Sequence, residues 1–166
     1  PPLVPAPLPQ FLTPLIGREG DLAALRDLVA TGGARLLTLT GAGGMGKTRL
    51  AVAAASALAG AYRDGVHFVP LAPLRDPGAL ASTIAATLGV ALRGPDQWRA
   101  LAEILRERQL LLVLDNIEHL LSAAPRLAAL LEAVAGLRII ATSREPLRAR
   151  GERRYLVRGL AVAGDG

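Results

Sequence analysis

Short apolar runs alternate with longer amphipathic stretches along this chain. Residues 35–40 (RLLTLT), 66–71 (VHFVPL), 110–114 (LLLVL) and 137–142 (LRIIAT) are rich in Leu, Ile, Val and Thr, and a glycine, proline or polar residue follows each within two positions. Such runs predict strands. Residues 110–114 contain no polar position, the pattern of a strand buried on both faces of a parallel sheet. Residues 155–157 predict a shorter last strand. Between the strands, apolar residues recur at helical spacing. In 17–30, Leu22, Leu25, Leu28 and Val29 share one face, and Gly32-Gly33 stops the helix. Residues 47–58 form an alanine-rich helix. Asp76-Pro77 opens a helix running to about residue 88, with Asp as N-cap and Pro at the first position. Residues 94–108 and 117–135 complete the set, the last with a bend expected at Pro125. The order β-α-β-α-α-β-α-β predicts an α/β fold with a parallel sheet and right-handed crossovers.

The first strand runs straight into Gly41-Ala42-Gly43-Gly44-Met45-Gly46-Lys47-Thr48, which fits G-x-x-x-x-G-K-[ST] at every fixed position. Strand, glycine loop and helix is the context this phosphate-binding pattern requires. The glycines allow close backbone approach, and successive amides at the start of a helix form a nest for anions. Lys47 reaches the β- and γ-phosphates of a nucleoside triphosphate, and Thr48 offers its hydroxyl to Mg²⁺. Of 19 Lys and Arg residues, Lys47 is the one lysine. A compact ammonium enters a tight loop where a planar guanidinium does not fit. The candidate nucleotide-binding residues here are Gly41, Ala42, Gly43, Gly44, Met45, Gly46, Lys47, Thr48 and the following Arg49.

Two further strand ends add chemistry. Asp115 closes the apolar run 110–114, where a carboxylate orders Mg²⁺ through water; capping of the next helix is the alternative use. With Thr48, it makes the candidate metal site. Hydrolysing phosphate-loop proteins usually carry an acid directly after this aspartate. Here that position is Asn116, which accepts no proton, and Glu118 lies two residues on. Glu118 is the candidate base, against a plain reading as a first-turn helix acid. Thr142-Ser143-Arg144 ends the fourth run, on a strand expected between those of the phosphate loop and Asp115. Arg144 is positioned there to touch a γ-phosphate, against a plain reading as one of several solvated arginines. Lys47, Asp115, Glu118 and Arg144 form the candidate catalytic set.

Composition narrows this reading without redirecting it. A chain of 166 residues that is 51% hydrophobic can bury a sizeable core. No apolar run reaches membrane-spanning length, and the start lacks the layout of a secretion signal. The absence of cysteine excludes disulfides and thiolate metal sites. These features lead to an expectation of a cytoplasmic protein with no membrane partner. The two histidines, His67 and His119, are isolated, and Trp98 reads as a packing residue. A net charge of +5 suits a polyphosphate ligand as well as nucleic acid. Residues 1–14, with six prolines, read as a linker, 15–160 as the nucleotide-binding domain, and 161–166 as a tail toward further domains of a longer protein.

Leu15-Ile16-Gly17-Arg18-Glu19, GAGGMGKTRLA, LLLVLDNIEHLL and IIATSREPL together resemble the nucleotide-binding domain of STAND regulators, the AP-ATPase or NB-ARC proteins. The nearest flavour is the bacterial regulators with LuxR-type or SARP-type DNA-binding domains. The resemblance covers residues 15 to about 160. It implies a three-layer P-loop NTPase with strand order 5-1-4-3-2, and that Ile16, Gly17 and Arg18 help hold the adenine end of ATP or ADP. It also implies an ATP/ADP switch with slow hydrolysis, self-association or a partner protein, and DNA contact only through flanking domains. A competent ATPase doing mechanical work and a nucleotide-stabilised oligomerisation platform are the rival readings.

Overall fold

The computed structural model describes residues 2–4 and 7–159. Helix α1 (Glu19–Ala30) precedes strand β1 (Leu36–Thr40), and helix α2 (Lys47–Leu58) follows the glycine loop. Strand β2 (Val66–Pro70) leads to α3 (Leu80–Leu88) and α4 (Gln97–Leu105). Then come β3 (Leu110–Asp115), α5 (Ala124–Ala133), β4 (Leu137–Ser143) and β5 (Glu152–Leu156). All strand pairs are parallel, in the order β2-β3-β4-β1-β5. Read from the other edge this is 5-1-4-3-2, the expected order.

Burial explains the sandwich. In β3, Leu110, Leu112 and Leu114 belong to one apolar cluster, while Leu111 and Val113 belong to the other. The first cluster takes Leu80, Ile84 and Leu88 of α3, Leu101 and Leu105 of α4, and Leu127 and Leu131 of α5. The second takes Leu25 and Val29 of α1 with Leu50, Ala51, Ala54 and Leu58 of α2. Alternate strand residues thus serve opposite faces, which is why the run 110–114 contains no polar position.

Several boundaries differ from the sequence reading. The expected helix over 117–135 begins only at Ala124, after a 3-10 turn at Leu121–Ala123, with Pro125 in its first turn. Proline has no N–H to donate and clashes with a preceding turn, so it starts this helix rather than bending it. Asp76 does cap, accepting from the Gly78 amide at 2.9 Å, but it caps a 3-10 turn (Pro77–Ala79) ahead of α3. The last strand starts at Glu152, three residues before the expected position.

The described part of the proline-rich start lies against the domain. The Val4 amide donates to the Leu88 carbonyl at 3.0 Å. Leu3 packs on the first cluster, and Leu8 and Leu15 pack on the second. The expected tail, residues 161–166, lies outside the described residues. Among the described residues, no helix is long and apolar enough to cross a membrane.

Candidate functional site

The carboxyl ends of β1, β3 and β4 meet at the glycine loop. Parallel register places Thr40 beside Ser143 on the neighbouring strand, so the loop leaves the sheet next to the segment carrying Arg144. Gly41 is required by space: its φ is 149°, and a Cβ there would lie 2.6 Å from the Val157 carbonyl oxygen. Gly46 caps α2 with φ 83°, in the left-handed region, and no side chain caps that helix. Its first amides therefore remain available to an anion.

Lys47 is buried and folds back on the loop. Its Nζ donates to the Gly41 carbonyl at 2.8 Å and to the Ala42 carbonyl at 2.9 Å. Burial lowers its pKa from the ordinary lysine value; the Arg144 charge adds to this, while Glu118 and Asp115 oppose it. Thr48 Oγ1 donates to Asp115 Oδ1 at 2.7 Å. That oxygen also accepts from Thr142 Oγ1 at 2.7 Å, and Thr142 Oγ1 in turn accepts from the Asn116 amide at 2.9 Å. Asn116 has φ 62°, the left-handed conformation that asparagine tolerates. A hydroxyl and a carboxylate side by side are the hard oxygen donors that suit Mg²⁺.

Arg144 reaches over the loop from the end of β4. Its Nη2 lies 3.0 Å from where a Cβ on Gly43 would stand, so the guanidinium lies directly over the loop, with the rest of the side chain largely exposed. Arg144 Nε lies 3.8 Å from Glu118 Oε1. Glu118 sits in the irregular turn after β3, not in a helix, and its Oε2 is buried without a hydrogen-bond partner. Lys47, Thr48, Asp115, Glu118 and Arg144 are thus brought together at one end of the sheet. An uncommitted buried carboxylate oxygen and an uncapped, glycine-lined helix start fit a ligand carrying phosphates and Mg²⁺ better than they fit a filled core.

The remaining candidates spread outward. Arg18 is buried, 6% exposed, and donates to the Met45 carbonyl at 2.7 Å and to Asp21 Oδ2 at 3.0 Å. Ile16 is largely exposed. Gly17 and Arg18 line a cavity of about 440 Å³ with Asp21, Tyr155 and Leu156. Arg49 turns away from the loop: it donates to Thr13 at 3.0 Å and stacks 4.9 Å from the Phe11 ring centre.

Thr142 as the support of Asp115, and the Asp21–Tyr155 pair behind Arg18, carry no signal in the sequence. A threonine at a strand end and a carboxylate in a first helical turn each have an ordinary local use. Sheet register brings Thr142 to Asp115, and the placement of α1 beside strand β5 brings Asp21 to Tyr155.

The sequence pattern of the AAA domain family matches residues 30–149. A Mycobacterium bovis protein whose name describes an HTH-type transcriptional regulator is 43% identical over 137 residues, covering 79% of this chain and 15% of that protein. An uncharacterized Mycobacterium tuberculosis protein is 33% identical over 158 residues, covering 94% of this chain and 40% of that protein. The chain therefore spans less than half the length of either relative. Among solved structures, a Signal Transduction ATPase with Numerous Domains from Pyrococcus horikoshii, which carries a tetratricopeptide repeat sensor, superposes with TM-score 0.61 at 18% identity, over 92% of this chain and 24% of that one. Cdc6p from Pyrobaculum aerophilum gives 0.58 at 22% identity, over 92% and 48%. Drosophila ORC bound to DNA gives 0.67 at 20% identity, over 86% and 43%. At such identities the likeness is one of fold, that of the P-loop NTPases.

Proposed function

The chain belongs to the AAA domain family, and from that premise we propose that it is the ATP/ADP-dependent switch domain of a larger STAND-type regulator. In this reading residues 15–160 bind the nucleotide and the flanking segments lead to other domains. The loop from Gly41 to Thr48 holds the phosphates, with Lys47 countering their charge. Thr48 and Asp115 hold Mg²⁺, which when bound neutralises phosphate charge and orients the terminal groups. ATP and ADP differ by one phosphoryl group, and a ligand moves an equilibrium only by its differential affinity for two states. Whatever contacts the γ-phosphate must therefore carry the switch.

The observation that carries this reading is the Arg144 guanidinium over Gly43, tied to Glu118 and placed at the mouth of the loop. Arg144 thereby gains a phosphate partner when ATP is bound and reverts to Glu118 with ADP. The likeness to an HTH-type regulator supports an output in transcription, with DNA bound by flanking domains. The regulator works in the cytoplasm, and self-association or a partner protein relays the state.

Calorimetric titration of the protein with ATP and with ADP tests it. Lys47→Ala leaves phosphate charge unpaired and weakens both nucleotides by about 2–5 kcal/mol, roughly 30-fold or more. Arg144→Ala removes the preference between ATP and ADP while both still bind. An unaltered ATP-to-ADP affinity ratio in Arg144→Ala refutes the switch assignment.

One observation favours a second reading, a working ATPase. The unpartnered Glu118 Oε2 is a free acceptor near the loop, suited to orienting water. Phosphate release at more than about one turnover per minute, lost in Glu118→Gln, would favour it over a slow switch.

A further inference from the structure

A glycine loop does not orient its own amides. Met45 lies between Gly44 and Gly46, both with φ 83°, and glycine passes between backbone regions at little steric cost. The peptide joining Met45 to Gly46 is planar, with its C=O and N–H pointing in opposite directions. Fixing that carbonyl therefore fixes the Gly46 amide. Arg18 fixes it, with a 2.7 Å bond from Nη2 to the Met45 oxygen. The guanidinium is buried and is held in turn by Asp21 Oδ2 at 3.0 Å. Asp21 Oδ1 accepts from the Tyr155 hydroxyl. Tyr155 lies on β5, the edge strand beside β1.

We propose that Asp21 and Tyr155 are positioning residues for phosphate binding: the chain Tyr155–Asp21–Arg18–Met45 carbonyl sets the loop amides from strand β5. This rests on the nucleotide-binding reading above and adds to it where the loop's geometry comes from. Two further contacts join the same strand end to the loop. The Val157 carbonyl lies against Gly41, and the Val157 amide donates to the Thr40 carbonyl at 2.7 Å. The loop is thus held at its start by Val157, directly after β5, and near its end by Tyr155 of β5 through Asp21 and Arg18. A shift of that segment reaches the phosphates without any contact to them.

Because Arg18 spends two donors on the carboxylate and the loop carbonyl, its role is to brace the loop. Its support lies one shell further out, in a phenol and a carboxylate that carry no signature in the motif. Asp21 is charged where it accepts, so the bonds from Arg18 and Tyr155 are of the stronger, charge-assisted kind.

Titration of the protein with ATP, together with thermal melting of each variant, tests the proposal. Tyr155→Phe removes one hydroxyl and keeps the ring; Asp21→Asn keeps the shape and removes the charge. Each is expected to weaken ATP about tenfold, the scale of one bond to a charged group. Arg18→Lys weakens ATP at least as much. If Tyr155 acts through Arg18, the double variant Arg18→Lys with Tyr155→Phe binds within about twofold of Arg18→Lys alone, because contributions along one chain do not add. Multiplying losses in the double variant, or ATP affinity within about twofold of the original in both Tyr155→Phe and Asp21→Asn, overturns the proposal. If Lys47→Ala weakens ATP by about 30-fold or more while those two variants leave its affinity intact, the nucleotide-binding reading stands and only this inference falls. A protein that binds neither ATP nor ADP sinks both.

Discussion

Thr142→Val is the substitution that tests the metal-side geometry most directly. The two side chains are nearly isosteric, so the fully buried position gains no cavity. What disappears is one hydroxyl with two bonds: the donation to Asp115 Oδ1 at 2.7 Å, and the acceptance from the Asn116 amide at 2.9 Å. A bond to a charged carboxylate is worth about 1.5–3 kcal/mol, and a buried amide left without an acceptor costs about 1–3 kcal/mol. Because both losses occur at one oxygen and the loop can relax, the expected destabilisation is about 3 kcal/mol rather than the sum of the maxima. With a slope of about 2 kcal/mol per molar urea, the midpoint falls by about 1.5 M at unchanged slope. Thr142→Ser keeps the hydroxyl and loses one methyl, so it costs only about 1 kcal/mol. Urea denaturation followed by far-UV circular dichroism measures both. Equal midpoints for the valine and serine variants would show that the hydroxyl does not hold Asp115 and Asn116, and would refute the reasoning.

Three more outcomes follow from the same contacts. The Tyr155 phenol is pushed up to about 12, first by burial and then by its bond to Asp21. A raised folded pKa means its stabilisation is complete below the ordinary value of 10.0 and is lost as pH rises toward about 12. Unfolding free energy therefore drops by about 1–2 kcal/mol over that window, after discounting for solvent screening, and the drop disappears in Tyr155→Phe. Asp21 is held below 3.8, chiefly by the bond from Tyr155, so its contribution is present above that pH and lost on acidification beneath it. An acid titration of Asp21→Asn should lack that component. Gly136→Ala places a Cβ 2.2 Å from the Arg108 carbonyl oxygen; displaced backbone lowers the melting temperature by several degrees, at about 2–4 °C per kcal/mol.

Much of the fold was legible because it repeats one pattern. The apolar run of β3 requires cover on both faces, and helices of matching amphipathicity lie between the strands. Element ends were less legible where proline or a tight turn competes with a helix. Pro125 begins α5 instead of bending a longer helix, and Asp76 caps a 3-10 turn. In both places the local rule was read correctly and its extent was not, because helix length depends on what the helix packs against.

By itself the sequence determined the phosphate loop, since Gly41 to Thr48 are contiguous and their chemistry needs only a strand before and a helix after. It also determined Asp115 and Arg144 as strand-end residues, because burial forces the polar switch at the end of each apolar run. What those residues touch was decided by the tertiary structure alone. Thr142 and Asp115 meet because β3 and β4 are neighbours in parallel register. Arg18, Asp21 and Tyr155 meet across 134 positions of chain because β5 lies beside β1. A hydrogen bond acts over about 3 Å, whereas sequence patterns report only which face a residue shares; the partners on that face come from how strands and helices are brought together.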